Sequence, residues 1–330
     1  MQLNNGSLLF IFLFFCTTFA HADYSKHDAV PAFVARLVKE HGFEKSYVEN
    51  VLKKAEKQQG ILDAISRPAE KTLVWKEYKN IFLDDKRIKL GAEFWEENGA
   101  ILAKASKEFG VPEEIIVAII GVETRYGRQK GGYRVIDALT TLGFDYEPRS
   151  EFFTNELVQF FLLTREQKQD PLTPMGSYAG AMGYGQFIPS SYRSYAVDYD
   201  GDAVVDIWNN PVDAIGSVAN YFKKHGWQEG GLVLGRTRIS SNYNQDILND
   251  SSRPSLSMLE LKTHGFDPVN TNIDAKEKAV ALMYEGVYGK EFWLGYNNFY
   301  VITRYNRSRL YAMAVWQLSR LIRYEYEAAA

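Results

Sequence analysis

Six consecutive residues, Ile115-Ile116-Val117-Ala118-Ile119-Ile120, are apolar, inside a segment from Val111 to Tyr126 that reads as a helix. Pro112 suits a first helical turn, Glu113 and Glu114 suit the positive end of the helix dipole, and Gly127 is placed to stop it. A helix that is apolar all round has no face to give to water. It must run through the centre of a domain, with other elements packed around it. The chain is long enough to build that surround: 330 residues, 46% of them hydrophobic, suffice for one large domain with a satellite or two.

The surround is mostly helical. From Ala32 to about Phe109, Phe33, Leu37 and Val38, then Val48, Val51 and Leu52, recur at helix spacing, with Gly42, Gly60 and Pro68 as punctuation. Further helices are expected over Glu151 to Arg165, Val212 to His225 and Arg309 to Tyr326. After Gly226-Trp227 the character changes. Leu232 to Leu234, Ala279 to Tyr284 and Phe299 to Thr303 are rich in β-branched and aromatic residues. They read as strands of a small sheet, with a short helix near Leu256 to Lys262. The fold class is therefore mainly α (α+β).

The N-terminus reads as a targeting segment. Leu8 to Phe19 is a greasy run too short for a comfortable membrane span, followed by the small-x-small site Ala20-His21-Ala22 and a polar start at Asp23. Cleavage after Ala22 would deliver the protein to the periplasm. Cys16 is the one cysteine, and Phe15 stands before it where a lipoprotein signal takes a small residue, so a lipid anchor is the lesser reading. A net charge of -3 with no run of like charge gives no footprint for nucleic acid. The 14% of aromatic residues serve a core or, equally, a sugar-binding groove.

Glu123 follows the apolar run directly, in Gly121-Val122-Glu123-Thr124-Arg125-Tyr126-Gly127. A carboxyl at the rim of an apolar core loses hydration, which favours its neutral form and suits a general acid. The plainer alternative is a helix-end pair with Arg125 or Arg128. Downstream, Met175 to Pro189 interleaves glycines and alanines with Ser177, Tyr184 and Gln186. Small residues let the backbone approach another surface closely, and neutral hydrogen-bonders beside an aromatic suit a sugar. No Lys follows the glycines as in a phosphate loop.

Asp198-Tyr199-Asp200-Gly201-Asp202-Ala203-Val204-Val205-Asp206 places carboxylates at alternate positions. Asp198, Asp200, Asp202, the Val204 carbonyl and Asp206 fit the register of an EF-hand calcium loop. Two positions depart from it: Ala203 stands where a Gly is usual and Asn209 where a Glu is usual. An all-oxygen, flexible site favours Ca2+ over Mg2+, in a structural role. A solvated acidic turn is the competing reading.

Together, Gly-Val-Glu-Thr-Arg-Tyr-Gly around Glu123, the Ala-Gly-Ala-Met-Gly-Tyr-Gly-Gln-Phe-Ile-Pro-Ser-Ser run from Ala179 to Ser191 and the acidic loop resemble the lytic murein transglycosylase B family. The resemblance extends over roughly Tyr78 to Tyr311. It implies a lysozyme-like helical core with a helical N-terminal domain and a small β subdomain. The implied divisions are a signal peptide over 1–22, the N-terminal domain over 23–100 and the catalytic core over 101–227 with its metal loop at 198–213. The β subdomain follows over 228–303, and 304–330 returns to the core.

The resemblance also implies Glu123 as the catalytic residue. It places Ser177, Gln186, Tyr221, Tyr305, Asn306 and Tyr311 in a glycan groove, Tyr78 at an outer subsite, and Asp213 at the close of the metal loop. The family often carries two adjacent arginines where this chain has Pro148 and Arg149, so one cation for substrate carboxylates is missing. The implied reaction cleaves the MurNAc–GlcNAc β-1,4 bond without water, leaves 1,6-anhydroMurNAc ends and needs no cofactor for catalysis. Peptidoglycan strands are the implied partner, with other cell-wall enzymes as further candidates. Two alternatives stand beside it: a water-using muramidase with a second carboxylate opposite Glu123, and a non-enzymatic cell-wall-binding protein.

Overall fold

The structure, a computed structural model, describes residues 24–66 and 73–329. The leader read over 1–22, with Cys16 and the Ala20-His21-Ala22 site, and the mature start at Asp23 lie outside these residues.

Three short helices come first: α1 (Val30–His41), α2 (Lys45–Lys53) and α3 (Gln59–Ile65). They bury Phe33, Leu37, Val48, Val51 and Leu52, whose spacing announced them, while Val38 of the same set is exposed. Next come α4 (Trp75–Phe82) and the 25-residue α5 (Asp85–Phe109), which starts on Asp84 with its side chain accepting from the Arg87 N–H. The apolar helix α6 (Glu113–Thr124) follows, with Pro112 as its N-cap, and Ile115 to Val122 are all buried. Then come β1 (Tyr133–Arg134), α7 (Val135–Asp145), a 3-10 turn (Glu147–Arg149), α8 (Ser150–Glu166) and β2 (Met175–Gly176), which pairs with β1. Helices α9 (Pro189–Tyr195) and α10 (Pro211–Lys224) close this part.

The rest is β3 (Leu234–Ile239), β4 (Leu256–Ser257), α11 (Met258–Thr263), β5 (Phe266–Pro268), β6 (Lys278–Gly286), β7 (Gly289–Gly295), α12 (Asn297–Tyr305) and α13 (Arg309–Ala329). The strands form an antiparallel sheet in the order β4-β6-β7-β3-β5.

The helix that had to be central is central: α5, α10 and α13 all pack on α6. Their apolar faces and α4 make one core, extended onto the sheet through Leu282 and Trp293. A second core joins α1 to α3 with α7, α8 and the glycine-rich stretch through Met182 and Phe187. Tyr305 packs against both. A third, smaller cluster holds the sheet together around Leu261, Phe266 and Leu294.

Several expectations change. Phe299 to Thr303, read as a strand, lies in α12; Phe299 and Ile302, one turn apart, are both buried, and a short apolar run does not by itself distinguish strand from helix. Strand β7 and helices α7 and α9 were not anticipated. The divisions at 100/101 and 303/304 fall inside the continuous helices α5 and α12. Residues before 66 join the α7–α8 core, whereas those from Trp75 join α6. Among the described residues no helix is long and apolar enough to cross a membrane.

Candidate active site

Glu123 lies in the last turn of α6, half-buried. The helix does not run on to Gly127. It stops through three successive left-handed residues, Arg125 at φ 53°, Tyr126 at φ 60° and Gly127 at φ 78°. A non-glycine residue in this region costs roughly 1 kcal/mol, and such strain persists only where the surroundings enforce it. Here they do. The Arg125 guanidinium reaches Asp84 at 3.2 Å, and the Tyr126 hydroxyl donates to the Arg87 carbonyl at 2.9 Å. The Tyr126 ring lies against Gly91 and Gly121, where any Cβ would come within 2.5 Å of its hydroxyl oxygen. One of the two cations that could have paired with Glu123 is thus engaged by Asp84.

Glu123 instead accepts a hydrogen bond at Oε1 from Tyr311, 2.6 Å away at the start of α13. Burial and the Glu123 charge push the Tyr311 hydroxyl well above its ordinary pKa, with Tyr305, the hydrogen bond and Tyr78 adding to it. Burial, Glu123 and Tyr221 do the same for Tyr305. Both hydroxyls therefore remain donors at neutral pH. Tyr305 donates to the Gly185 carbonyl at 2.5 Å and Tyr221 to the Arg304 carbonyl at 2.6 Å; the two rings meet edge to face at 4.7 Å. His225 stacks on Tyr221 at 3.9 Å, a contact the sequence did not suggest. Asn306, the C-cap of α12, accepts from the Ser308 N–H. Tyr78 is 2% exposed, in the same core as Tyr311, and offers no open face.

The glycine-rich stretch forms a wall tied to the end of α6. Thr124, next to Glu123, donates its hydroxyl to the Tyr184 carbonyl at 2.9 Å and accepts from the Gly127 N–H. Gly127 is required: with φ at 78°, a Cβ there would lie 2.1 Å from the Tyr184 ring. Lys130 holds its ammonium over the same ring at 4.9 Å. Gln186, at φ 51°, donates its amide to Gly183 O at 3.0 Å and Lys130 O at 3.3 Å. Ser177 Oγ accepts from the Ala179 and Ala181 N–H groups, so it shapes the turn as well as lining it. Thr124 and Lys130 went unnoticed in the sequence, although Thr124 stands inside the Glu123 motif.

Arg149 is exposed in the 3-10 turn before α8, with its guanidinium over Phe152 at 4.3 Å and Phe153 at 5.1 Å. The structure gives it contacts on α8 rather than with Tyr311 or Glu123. The carboxylates that follow Glu123 in sequence have other duties. Asp137 pairs with Arg134 at 2.7 Å, and Asp145 takes bonds from Tyr24 and Lys57. Glu147 and Glu151 are exposed around the same 3-10 turn.

In the acidic loop, carboxylate oxygens of Asp198, Asp200 and Asp202 lie within 4.8 Å of one another. That spacing suits oxygens bound about 2.3–2.6 Å from one calcium ion, so the trio fits the metal. Ala203 takes the left-handed conformation at φ 70° that glycine would fill more easily. Asp206 and Asp213 are outside the trio. Asp206 accepts from the Trp208 and Asn209 N–H groups. Asp213 is fully buried and clasps the loop by its backbone, accepting from Tyr199 N and Asp206 N, both at 2.8 Å. Val204 is exposed, and its N–H donates to Asp202.

Three comparisons bear on this arrangement. The chain is 40% identical over 309 residues to the membrane-bound lytic murein transglycosylase B of Escherichia coli K12, spanning 91% of this chain and 84% of that one. A structure of the lytic transglycosylase SltB1 from Pseudomonas aeruginosa superposes with a TM-score of 0.88 at 49% identity, covering 92% of this chain and all of that one. The E. coli lytic transglycosylase Slt35 in complex with calcium superposes with a TM-score of 0.84 at 39% identity, covering 92% of this chain and 95% of that one. The family model described as the transglycosylase SLT domain matches residues 25–320. With Glu123 at the end of a buried helix and bonded to Tyr311 of α13, inside a mainly α, lysozyme-like fold, the chain belongs to the lytic transglycosylases of the SLT domain family.

Proposed function

We propose that this enzyme cleaves the MurNAc–GlcNAc β-1,4 bond of murein strands by transglycosylation, with Glu123 as the only acid and base. The observation that carries the reading is the Tyr311–Glu123 hydrogen bond of 2.6 Å at the rim of the buried helix. It holds one carboxyl oxygen in place. Glu123 protonates the glycosidic oxygen. The sugar becomes oxocarbenium-like, and the C6 hydroxyl of the same MurNAc attacks C1 while Glu123 takes its proton back. An ordinary glycosidase uses two carboxylates across the bond. Here the four that follow Glu123 are bound elsewhere or exposed. A nucleophile already attached to the substrate has a high effective concentration, so a single carboxyl suffices.

Gln186, Ser177, Tyr184, Tyr221, Tyr305 and Asn306 are assigned to hold the glycan. Asp198, Asp200 and Asp202 are assigned to a structural Ca2+, with the Val204 carbonyl and Asp206 completing the shell and Asp213 holding the loop shut. Glu123→Gln tests the central role: the amide is nearly isosteric and carries no transferable acid proton. Release of soluble fragments from murein sacculi is expected to stop while the variant still pellets with them; near-normal turnover would remove Glu123 from the mechanism. The leader reading puts the mature protein in the periplasm, free after cleavage at Ala22. The mass of the N-terminal peptide checks this: an unmodified start at Asp23 is expected, and an acylated Cys16 would overturn it.

A further inference from the structure

Lys130 stands where three parts of the chain meet. It is half-buried, in the segment between the end of α6 and β1. Its ammonium donates to the Trp208 carbonyl at 2.5 Å and lies over the Tyr184 ring at 4.9 Å. A cation against a carbonyl and over a ring face is attracted to both. Its own carbonyl accepts from the Gln186 amide at 3.3 Å. One residue thus touches two of the side chains assigned to the glycan and the exit of the acidic loop. Its backbone has little room to shift. The next residue, Gly131, sits at φ 94°, and a Cβ there would come within 2.1 Å of the Gly176 carbonyl.

The loop exit is held from the other side by carboxylates. Asp206 accepts from the Trp208 and Asn209 N–H groups, and its own N–H donates to the buried Asp213 at 2.8 Å. The Asn210 amide reaches back to Asp200 at 2.8 Å, so the start and the exit of the loop are held together. Two further bonds run from the exit to the glycine-rich wall: the Trp208 indole N–H donates to the Met175 carbonyl, and the Ile207 carbonyl accepts from Tyr184 N. At the start of the loop, Asp198, Asp200 and Asp202 gather three like charges within 4.8 Å. They repel one another, and a divalent cation that removes the repulsion draws the loop together. Of the ties to the wall, Lys130 is the one that meets both the Tyr184 ring and the Gln186 amide.

We propose that Lys130 couples the acidic loop to the glycan wall, so that a cation held by Asp198, Asp200 and Asp202 and a glycan held at Tyr184 and Gln186 each tighten the binding of the other. The proposal rests on the calcium and glycan readings above. Lys130 acts in it as a positioning residue and touches neither ligand. Each ligand needs the segment between them ordered, and the one that binds second finds it ordered already. Such coupling is reciprocal: the factor by which the glycan tightens calcium is the factor by which calcium tightens the glycan.

The test is a calorimetric titration of Glu123→Gln, which binds glycan without cleaving it in this account. Calcium is titrated with and without a saturating GlcNAc–MurNAc tetrasaccharide that carries no peptide, and the tetrasaccharide with and without calcium. Both affinities are expected to rise by the same factor, about fivefold, at the low end of ordinary coupling. Adding Lys130→Met should bring that factor below about twofold while calcium alone still binds as before, and Lys130→Arg, which keeps the cation, should restore part of it. No tightening in Glu123→Gln, or the full factor retained in Lys130→Met, overturns the coupling. Loss of calcium binding in Lys130→Met without glycan overturns it too, since Lys130 would then belong to the fold of the loop itself. A Glu123→Gln protein that takes up no calcium, or no tetrasaccharide, overturns the calcium or the glycan reading respectively, and the coupling with it.

Discussion

At the scale of single residues, the site is a carboxyl whose position is enforced from three sides. Asp84 and Arg87 hold the strained Arg125–Tyr126 pair that ends α6. Thr124 ties the same turn to the glycine-rich wall. Tyr311 fixes the carboxyl itself. The last contact makes a separable prediction. Tyr311→Phe removes a hydrogen bond to a charged group, worth about 1.5–3 kcal/mol. Because that bond bears on the reacting carboxyl, kcat should fall roughly 10- to 100-fold with KM little altered. Steady-state rates on isolated glycan strands check this, and an unchanged kcat would show the hydroxyl to be a bystander. Glu123 and Gln186 were legible in the sequence because each stands in a motif of unusual composition. The Tyr311 contact was not legible from spacing, since 188 residues separate it from Glu123; the resemblance named Tyr311 as a groove residue, not as a partner of Glu123.

At the scale of elements, α6 was the most readable feature. A run that is apolar on every side leaves no alternative to burial, and α5, α10 and α13 supply it. The small sheet was less readable. Phe299 to Thr303 and Leu232 to Leu234 both read as strands, yet α12 takes one and β3 starts within the other. The tertiary setting decides, because Tyr296 is extended and α12 must turn back toward the core. The glycine-rich wall shows why small residues were needed there: a Cβ at Gly183 would meet the Ile207 carbonyl at 2.3 Å, where φ is already 69°.

The acidic loop joins that wall, through Tyr184 N donating to Ile207 O, to α10. Calcium should therefore stabilise the native fold by mass action, by about 2.7 kcal/mol at a hundredfold excess over Kd, which is several degrees in Tm. Asp198→Ala with Asp202→Ala should erase the shift. If millimolar calcium moves the Tm of neither protein, the loop is a solvated turn.

At the scale of the whole molecule, two helical cores meet at Tyr305, and Glu123, the proposed catalytic carboxyl, lies on the first of them while the glycine-rich wall belongs to the second. The proposed groove is thus assembled from segments distant in the chain, around residues 123, 177–186, 221 and 305–311. The motifs name these segments but carry no information on which carboxylates face one another. The structure shows that Asp137 and Asp145 are engaged by Arg134, Lys57 and Tyr24. In the proposed mechanism, with a single carboxyl and an internal nucleophile, water has no part in the bond-breaking step. The most direct measurement is digestion of purified murein in oxygen-18 water, with mass spectrometry of the fragments. The mechanism predicts unlabelled 1,6-anhydroMurNAc ends, one water lighter than hydrolytic products; reducing MurNAc ends that carry the label would contradict it.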